Sequence, residues 1–346
     1  MKDRADKVEN SRTRRRFVRD ASALALGGSC GANLLAAVGP RDSLKTPPGP
    51  PTQEAAARPP SQIEIGILLA TFVRPPLELR LDSAKAHGLQ HIQLSLDCVG
   101  LAAMPDEIGP GIADRIRRET SARGITVASI QGTFNMCHPD SAHRAAGLRR
   151  LRVLAQLCQE LSVPRIHICS GTRNRESMWR PHADNATPSA WKDMAGCLRE
   201  AADIARQAGV VLGVEPEVNN VVDSALKARR LMDEIGSPHL KVTIDAANLF
   251  HAGELARMAE ILDEAFALVG RDVVMVHAKD LDRDGDAGHK AAGEGKLDYD
   301  RYLSLLHAHG FRGPVFLHGL SEAQVPGCVA FVRAKLARAI AQRSGP

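Results

Sequence analysis

The chain has 346 residues, 44% hydrophobic and 25% charged, with only 3% aromatic. That apolar content suffices for a full core and excludes a chain disordered throughout. The formal charge of +5 is uneven: residues 1–62 hold eleven Lys/Arg against six Asp/Glu, and the remainder holds 34 of each sign. A body without net charge has no general attraction for phosphate backbones, which argues against a nucleic-acid partner.

At the N-terminus, Thr13-Arg14-Arg15-Arg16-Phe17-Val18-Arg19 resembles the twin-arginine export motif. The stretch Ala21 to Val38 that follows is too weakly apolar and too rich in Gly for a comfortable membrane span. Residues 1–39 are therefore expected to be an export leader, with a disordered basic tail as the plain alternative. The protein is expected in the periplasm with no stable membrane span in its mature form. Cys30 stands where a lipoprotein cleavage site could fall, but Gly27 replaces the usual Leu. Residues 40–60 hold seven of the twenty prolines, so 40–62 read as a linker. The seven cysteines are scattered with no C-x-x-C pair, which fits small core residues. One disulfide stays open for an oxidising compartment.

From residue 63 to 343, short β-branched or apolar runs alternate with amphipathic stretches. The runs are 63–69, 91–96, 125–131, 165–169, 210–215, 241–245, 272–277 and 314–318. Between them, Leu148, Leu151, Leu154, Ala155 and Cys158 share one helical face, as do Leu198, Ala201, Ala202 and Ala205. Gly88, Gly124, Gly209 and Gly310 precede strands where a left-handed helix cap is expected. Eight strands each followed by a helix predict a single-domain α/β fold, a (β/α)8 TIM barrel. An open doubly wound sheet is the alternative, but Leu69-Ala70-Thr71-Phe72 after the first strand lacks the Gly-rich dinucleotide turn.

In such a barrel the C-terminal strand ends face the active site. The last four runs end in Glu215, Asp245, His277 and His318. A lone strand-end Asp is often a helix cap and a lone His often a satisfied core residue. Two carboxylates and two imidazoles from consecutive strands supply a first coordination sphere for one divalent metal ion, Zn, Mn or Co.

Val214-Glu215-Pro216-Glu217, Ile244-Asp245-Ala246-Ala247-Asn248-Leu249, Val276-His277-Ala278-Lys279-Asp280 and Gly293-Glu294-Gly295-Lys296-Leu297-Asp298-Tyr299 resemble the xylose isomerase-like barrel superfamily, in its sugar phosphate isomerase/epimerase branch. The resemblance spans roughly residues 63–340. It implies metal ligands Glu, Asp, His and Glu on strands five to eight, of which the first three fall on Glu215, Asp245 and His277. His318 stands where the fourth Glu is expected, with Glu322 four residues later as a second candidate. Imidazole there shifts metal preference from Mg toward Zn or Mn. It also removes half of the carboxylate pair that the resemblance implies for proton transfer.

The remaining candidates follow from position. Glu217 and Asn248 lie just past ligand strands, and Lys279 follows His277 by two on the same side. His138, Arg173 and Trp179 fall on loops after strands three and four, and Glu294 and His289 in a Gly-rich loop that reads as a lid. Trp191 is expected to pack where the following helix begins. The expected catalytic groups are Glu215, His318 and Lys279. Those expected to bind substrate are Glu217, Asn248, His138, Arg173, Trp179 and Glu294. The expected activity is isomerisation or epimerisation of a sugar by proton abstraction beside a metal-chelated carbonyl. A dehydratase or lyase acting on a keto-sugar and a non-catalytic sugar-binding barrel are the alternatives. The apurinic endonuclease branch requires further histidines, whereas Gln131-Gly132, Asn248 and Asp286-Ala287-Gly288-His289 stand at those places. Substrate and oligomeric state are left open.

Overall fold

A computed structural model describes residues 63–341; the leader and linker expected for residues 1–62 lie outside the described residues. Nine strands form: β1 Glu64–Leu68, β2 His91–Leu94, β3 Thr126–Gln131, β4 Arg165–Cys169, β5 Val211–Glu215, β6 Leu240–Asp245, β7 Val273–Asp280, β8 Lys290–Ala291 and β9 Pro314–Leu317. Consecutive strands from β1 to β7 pair in parallel, β9 pairs in parallel with both β7 and β1, and the barrel closes. The helices are α1 Leu77–Ala86, α2 Ile112–Ser121, α3 Ser141–Leu161, α4 Pro188–Ala208, α5 Ala225–Ile235, α6 Met258–Val269, α7 Tyr299–Ala308 and α8 Val325–Ala341. One follows each barrel strand, as the sequence predicts.

Local chemistry sets the element ends. In α3 the Asp140 carboxylate accepts from Ala142 N at 2.8 Å. In α4 Pro188 holds the first turn, and Thr187 Oγ1 accepts from Ala190 N at 3.2 Å. Gly209 closes α4 at φ 65°, a left-handed conformation open to Gly at little cost. The predicted α3 and α4 faces are buried. No helix among the described residues is long and apolar enough to cross a membrane. The six described cysteines are free and buried.

Strand periodicity divides the barrel into two environments. Ile166, Ile168, Leu212, Val214, Val242, Ile244, Val276, Ala278, Val315 and Leu317 belong to the large apolar core. The alternating positions His167, Cys169, Glu215, His277, Lys279 and, just past β9, His318 line an inner cavity. Gly213 on β5 keeps that interior open: a Cβ there would stand 2.3 Å from Met275 Cε and 2.4 Å from Thr243 Oγ1.

Two differences from the sequence expectation concern the seventh strand. β7 runs on to Asp280, three residues past His277, because β8 pairs with its end antiparallel, Lys279 opposite Ala291 and Asp280 opposite Lys290. The Gly-rich loop is also no free lid. Asp280 Oδ1 accepts from Leu281 N and Leu297 N, each at 2.9 Å, and Oδ2 from Gly293 N at 3.0 Å, so one buried carboxylate clasps both ends. From α7, Tyr299 Oη donates to Lys279 O at 2.8 Å, and Tyr302 Oη reaches Ile244 O at 3.2 Å and His277 O at 3.0 Å. These bonds tie the helix to the ends of β6 and β7.

Overpacking a filled interior costs about 1–3 kcal/mol. Gly213→Ala is therefore expected to lower the urea midpoint by a corresponding amount without changing the slope of the transition.

Candidate metal centre and active site

A cavity of about 300 Å³ opens at the C-terminal strand ends, lined by both carboxyl and imidazole groups. Strand register assembles it: Cys169 lies opposite Glu215 and Asp245 opposite His277. Glu215, Asp245 and His277 are buried, while the His318 side chain is 33% exposed at the mouth.

The atoms of the four predicted ligands converge. Glu215 Oε2 is 3.0 Å from His277 Nδ1, and Asp245 Oδ2 is 4.0 Å from His277 Nδ1 and 3.8 Å from His318 Nδ1. Asp245, His277 and His318 each offer a ligand atom within 4.8 Å of the others. His277 Nε2 lies 2.9 Å from Gln93 Oε1, and with the ring proton on Nε2 its Nδ1 is a metal-ligand atom. His277 Nδ1 and His318 Nδ1 are buried without a hydrogen-bond partner, and Asp245 Oδ2 meets the Lys279 ammonium at 3.3 Å. Buried polar atoms without partners are rare, and two imidazole nitrogens beside these carboxylates mark a place for a cation. The donor set of two carboxylates and two imidazoles fits a divalent transition metal or zinc.

The electrostatics agree with that arrangement. Burial opposes ionisation of Glu215, but facing His277, His167 and Lys279 outweigh it and hold the group below the ordinary carboxylate range. Burial likewise opposes the Lys279 ammonium, but Asp245 and Glu215 outweigh it and raise its pKa. Lys279 Nζ lies 3.3 Å from Asp245 Oδ2. His318 is lowered, chiefly by burial. Glu217 is raised to about 7, first by burial and then by the charge of Glu215.

Other sequence candidates divide in two. Glu217, Asn248, Lys279 and Trp179 line the cavity. Asn248 Nδ2 donates to Glu215 Oε1 at 2.5 Å, and its own Oδ1 accepts from Gly288 N at 2.8 Å. Trp179 is 48% exposed at the mouth. His138, Arg173 and Glu294 do not reach the lining, and each is engaged elsewhere. The His138 ring stacks on His143 with centroids 4.0 Å apart. Arg173 pairs with Asp193 at 2.8 Å, and Glu294 accepts from Gln324 Nε2 at 2.7 Å. Glu322, the second candidate for the fourth ligand, accepts from Ser83 Oγ at 3.2 Å and pairs with Arg74 at 3.3 Å, so it does not complete the shell. Trp191 packs as expected, its Nε1 on Glu234 at 2.7 Å.

Sequence reasoning passed over His167, Cys169, Gln131, Asn219 and Asp286, which also line the cavity. The signal for the first two was present: in Arg165-Ile166-His167-Ile168-Cys169 the apolar residues alternate, so His167 and Cys169 share the inward face. Burial drives the pKa of His167 down to about 3.

A closed parallel barrel with a carboxylate–imidazole centre at its C-terminal mouth defines the class of protein. The family model of the xylose isomerase-like TIM barrel matches residues 81–327, and the chain belongs to that family. Among curated proteins, L-ribulose-5-phosphate 3-epimerase UlaE of Shigella flexneri serotype 5b (strain 8401) is 27% identical over 275 residues, covering 75% of this chain and 90% of that protein. Two solved structures share the fold. The 3-keto-D-glucoside 4-epimerase YcjR from E. coli aligns with a TM-score of 0.60 at 18% identity, over 79% of this chain and all of that one. The IolI protein with a bound zinc atom aligns with a TM-score of 0.61 at 16% identity, over 81% of this chain and 99% of that one.

Asp245→Ala removes a buried carboxylate from the candidate centre and strands the charge of Lys279. Elemental analysis of the purified variant is expected to show at least one equivalent of divalent metal per chain fewer than the wild-type chain binds, in line with the steep cost of breaking a buried pair.

Proposed function

We propose that this protein is a divalent-metal-dependent sugar isomerase or epimerase that moves a proton at a carbon beside a carbonyl. The observation that carries this reading is the convergence of Glu215, Asp245, His277 and His318, with the two inward imidazole nitrogens lacking a hydrogen-bond partner. The epimerase relative that spans most of both chains supports it. These four residues would hold a divalent cation, which when bound would supply Lewis acidity to a substrate carbonyl and so acidify the neighbouring C–H.

The chain's own groups do the rest. Asn248 Nδ2 fixes Glu215 Oε1, which assigns Glu215 to ligation more than to proton transfer. Glu217 Oε1 is held only by a 3.4 Å hydrogen bond from Asn219 N, and Oε2 accepts from Asn220 Nδ2 at 2.8 Å. With its pKa raised to about 7, Glu217 suits giving or taking a proton at Oε1 near neutral pH. His318 comes from the far side of the mouth, since β6 and β7 stand between β5 and β9. Its Nε2 is the second proton carrier and takes the place of a carboxylate. Lys279 Nζ neutralises Asp245 and steadies negative charge on a substrate oxygen. Trp179 covers a sugar face.

The substrate class follows from the lining. Lys279 is the only Lys or Arg among the described residues that line the cavity, and it is already paired with Asp245, while Glu217 and Asp286 add carboxyl groups. A free or oxidised keto-sugar suits this lining better than a sugar phosphate. Export by the twin-arginine route, carried by the run Thr13–Arg19, belongs to the same proposal and agrees with an extracellular carbohydrate source. The same groups would serve a lyase where the substrate carries a β leaving group. The replacement of a carboxylate by His318 favours a sugar-binding barrel as the second reading.

Incubation of the metal-loaded protein with keto-sugars in D2O, followed by NMR, is expected to show deuterium entering the carbon next to the carbonyl. Glu217→Gln is expected to slow that exchange by about 10²–10⁴-fold while bound metal stays unchanged. Binding without exchange for every keto-sugar would leave the sugar-binding reading in its place.

For export, cell fractionation should find the wild-type chain in the periplasm. The double change Arg14→Lys and Arg15→Lys should hold it in the cytoplasm, and equal distribution of the two would refute the route.

A further inference from the structure

We propose that the cavity holds a second divalent metal ion, bound by His167 Nε2, Cys169 Sγ and the Glu215 carboxylate, with Glu215 shared between the two centres. The three ligand atoms lie within 4.8 Å of one another and all three residues are buried. Two of them are neighbours on the inward face of β4, and the third is the register partner of Cys169 on β5.

His167 can ligate through Nε2 when its ring proton sits on Nδ1. Thr243 Oγ1 has one hydrogen and donates it to Gly213 O at 3.1 Å. With that hydrogen on Gly213 O, the same oxygen accepts from His167 Nδ1, 3.2 Å away, and leaves Nε2 as the ligand atom. His167 Nε2 is therefore bare, and it stands 3.3 Å from Glu215 Oε2. In that tautomer the nitrogen lone pair and the carboxylate oxygen can face one cation placed between them. Cys169 Sγ is 3.9 Å from the same Nε2.

The spacing agrees with a tetrahedral metal. Ordinary zinc bond lengths place a nitrogen and an oxygen ligand about 3.3 Å apart and a nitrogen and a sulfur ligand about 3.6 Å apart. The hydrogen bond from His167 Nδ1 to Thr243 is the outer support that metal-bound imidazoles have, fixing tautomer and ring orientation. On binding, the Cys169 thiol proton passes to solvent, and thiolate and carboxylate together offset the two charges of the cation. A sulfur, nitrogen and oxygen set selects Zn²⁺ or Co²⁺ over Mg²⁺. The fourth position faces the cavity, where Gln131, the register partner of His167, also lies.

The test is a titration of the metal-free full-length chain with Co²⁺ alone, followed by absorption spectroscopy and by counting bound metal. The expected result is two equivalents per chain and a near-ultraviolet thiolate-to-cobalt charge-transfer band. Cys169→Ser should lose the band and one equivalent and keep the other, and His167→Gln should do the same if the serine variant fails to fold. Asp245→Ala should lose an equivalent and retain the band. A wild-type chain that binds one equivalent without the band, or a band that survives Cys169→Ser, overturns the proposal. In the first case the thiol simply donates to His167 Nε2, and the single metal centre of the proposed function stands unaffected.

Discussion

Glu215 is a carboxylate buried at the middle of the cavity, and its surroundings follow from the need to compensate that charge without water. One oxygen receives the amide of Asn248 and the other faces two imidazoles, His277 at 3.0 Å and His167 at 3.3 Å. Asp245 repeats the problem one strand away and receives Lys279. Isolated charges in such a place are expensive, so each is met by an opposite charge, a donor or a group of atoms fit to bind a cation. The residual imbalance, a set of lone pairs turned toward one another, is the property that makes the site suited to metal ions.

The barrel makes this crowding tolerable by separating its two chemistries. Aliphatic positions face outward into the helix layer, and polar positions alternate with them toward the axis. The apolar layer supplies the stability, so the interior can hold groups that destabilise one another. Gly213 shows the same division at one residue. It gives up packing area inside β5 and leaves room for Thr243, whose hydroxyl orients His167.

Periodicity made the fold legible. Runs of alternating residues marked every barrel strand, and glycine caps marked the helix ends that precede four of them. Register carried the core of the site, because strand ends in a closed parallel barrel must converge, so Glu215, Asp245, His277 and His318 could be placed together from spacing alone. His167 and Cys169 were equally accessible to that logic but looked like ordinary members of an apolar strand. His138, Arg173 and Glu294 failed for a different reason. They sit on loops, where no period fixes direction, and each found a local partner: a stacked ring, Asp193 or Gln324. The pairing of β8 with β7 was hidden because a two-residue strand has no pattern to read.

The two tyrosines of α7 have a further consequence. Tyr299 and Tyr302 hold the carbonyls of Lys279, Ile244 and His277 from outside the barrel. The spacing between the β6 and β7 ligands is thus governed partly by a helix that never enters the cavity. Under the proposed metal centre, cofactor preference becomes an inheritable trait of the outer wall. A lineage could drift from one metal to another through changes on α7 while every coordinating residue stayed the same.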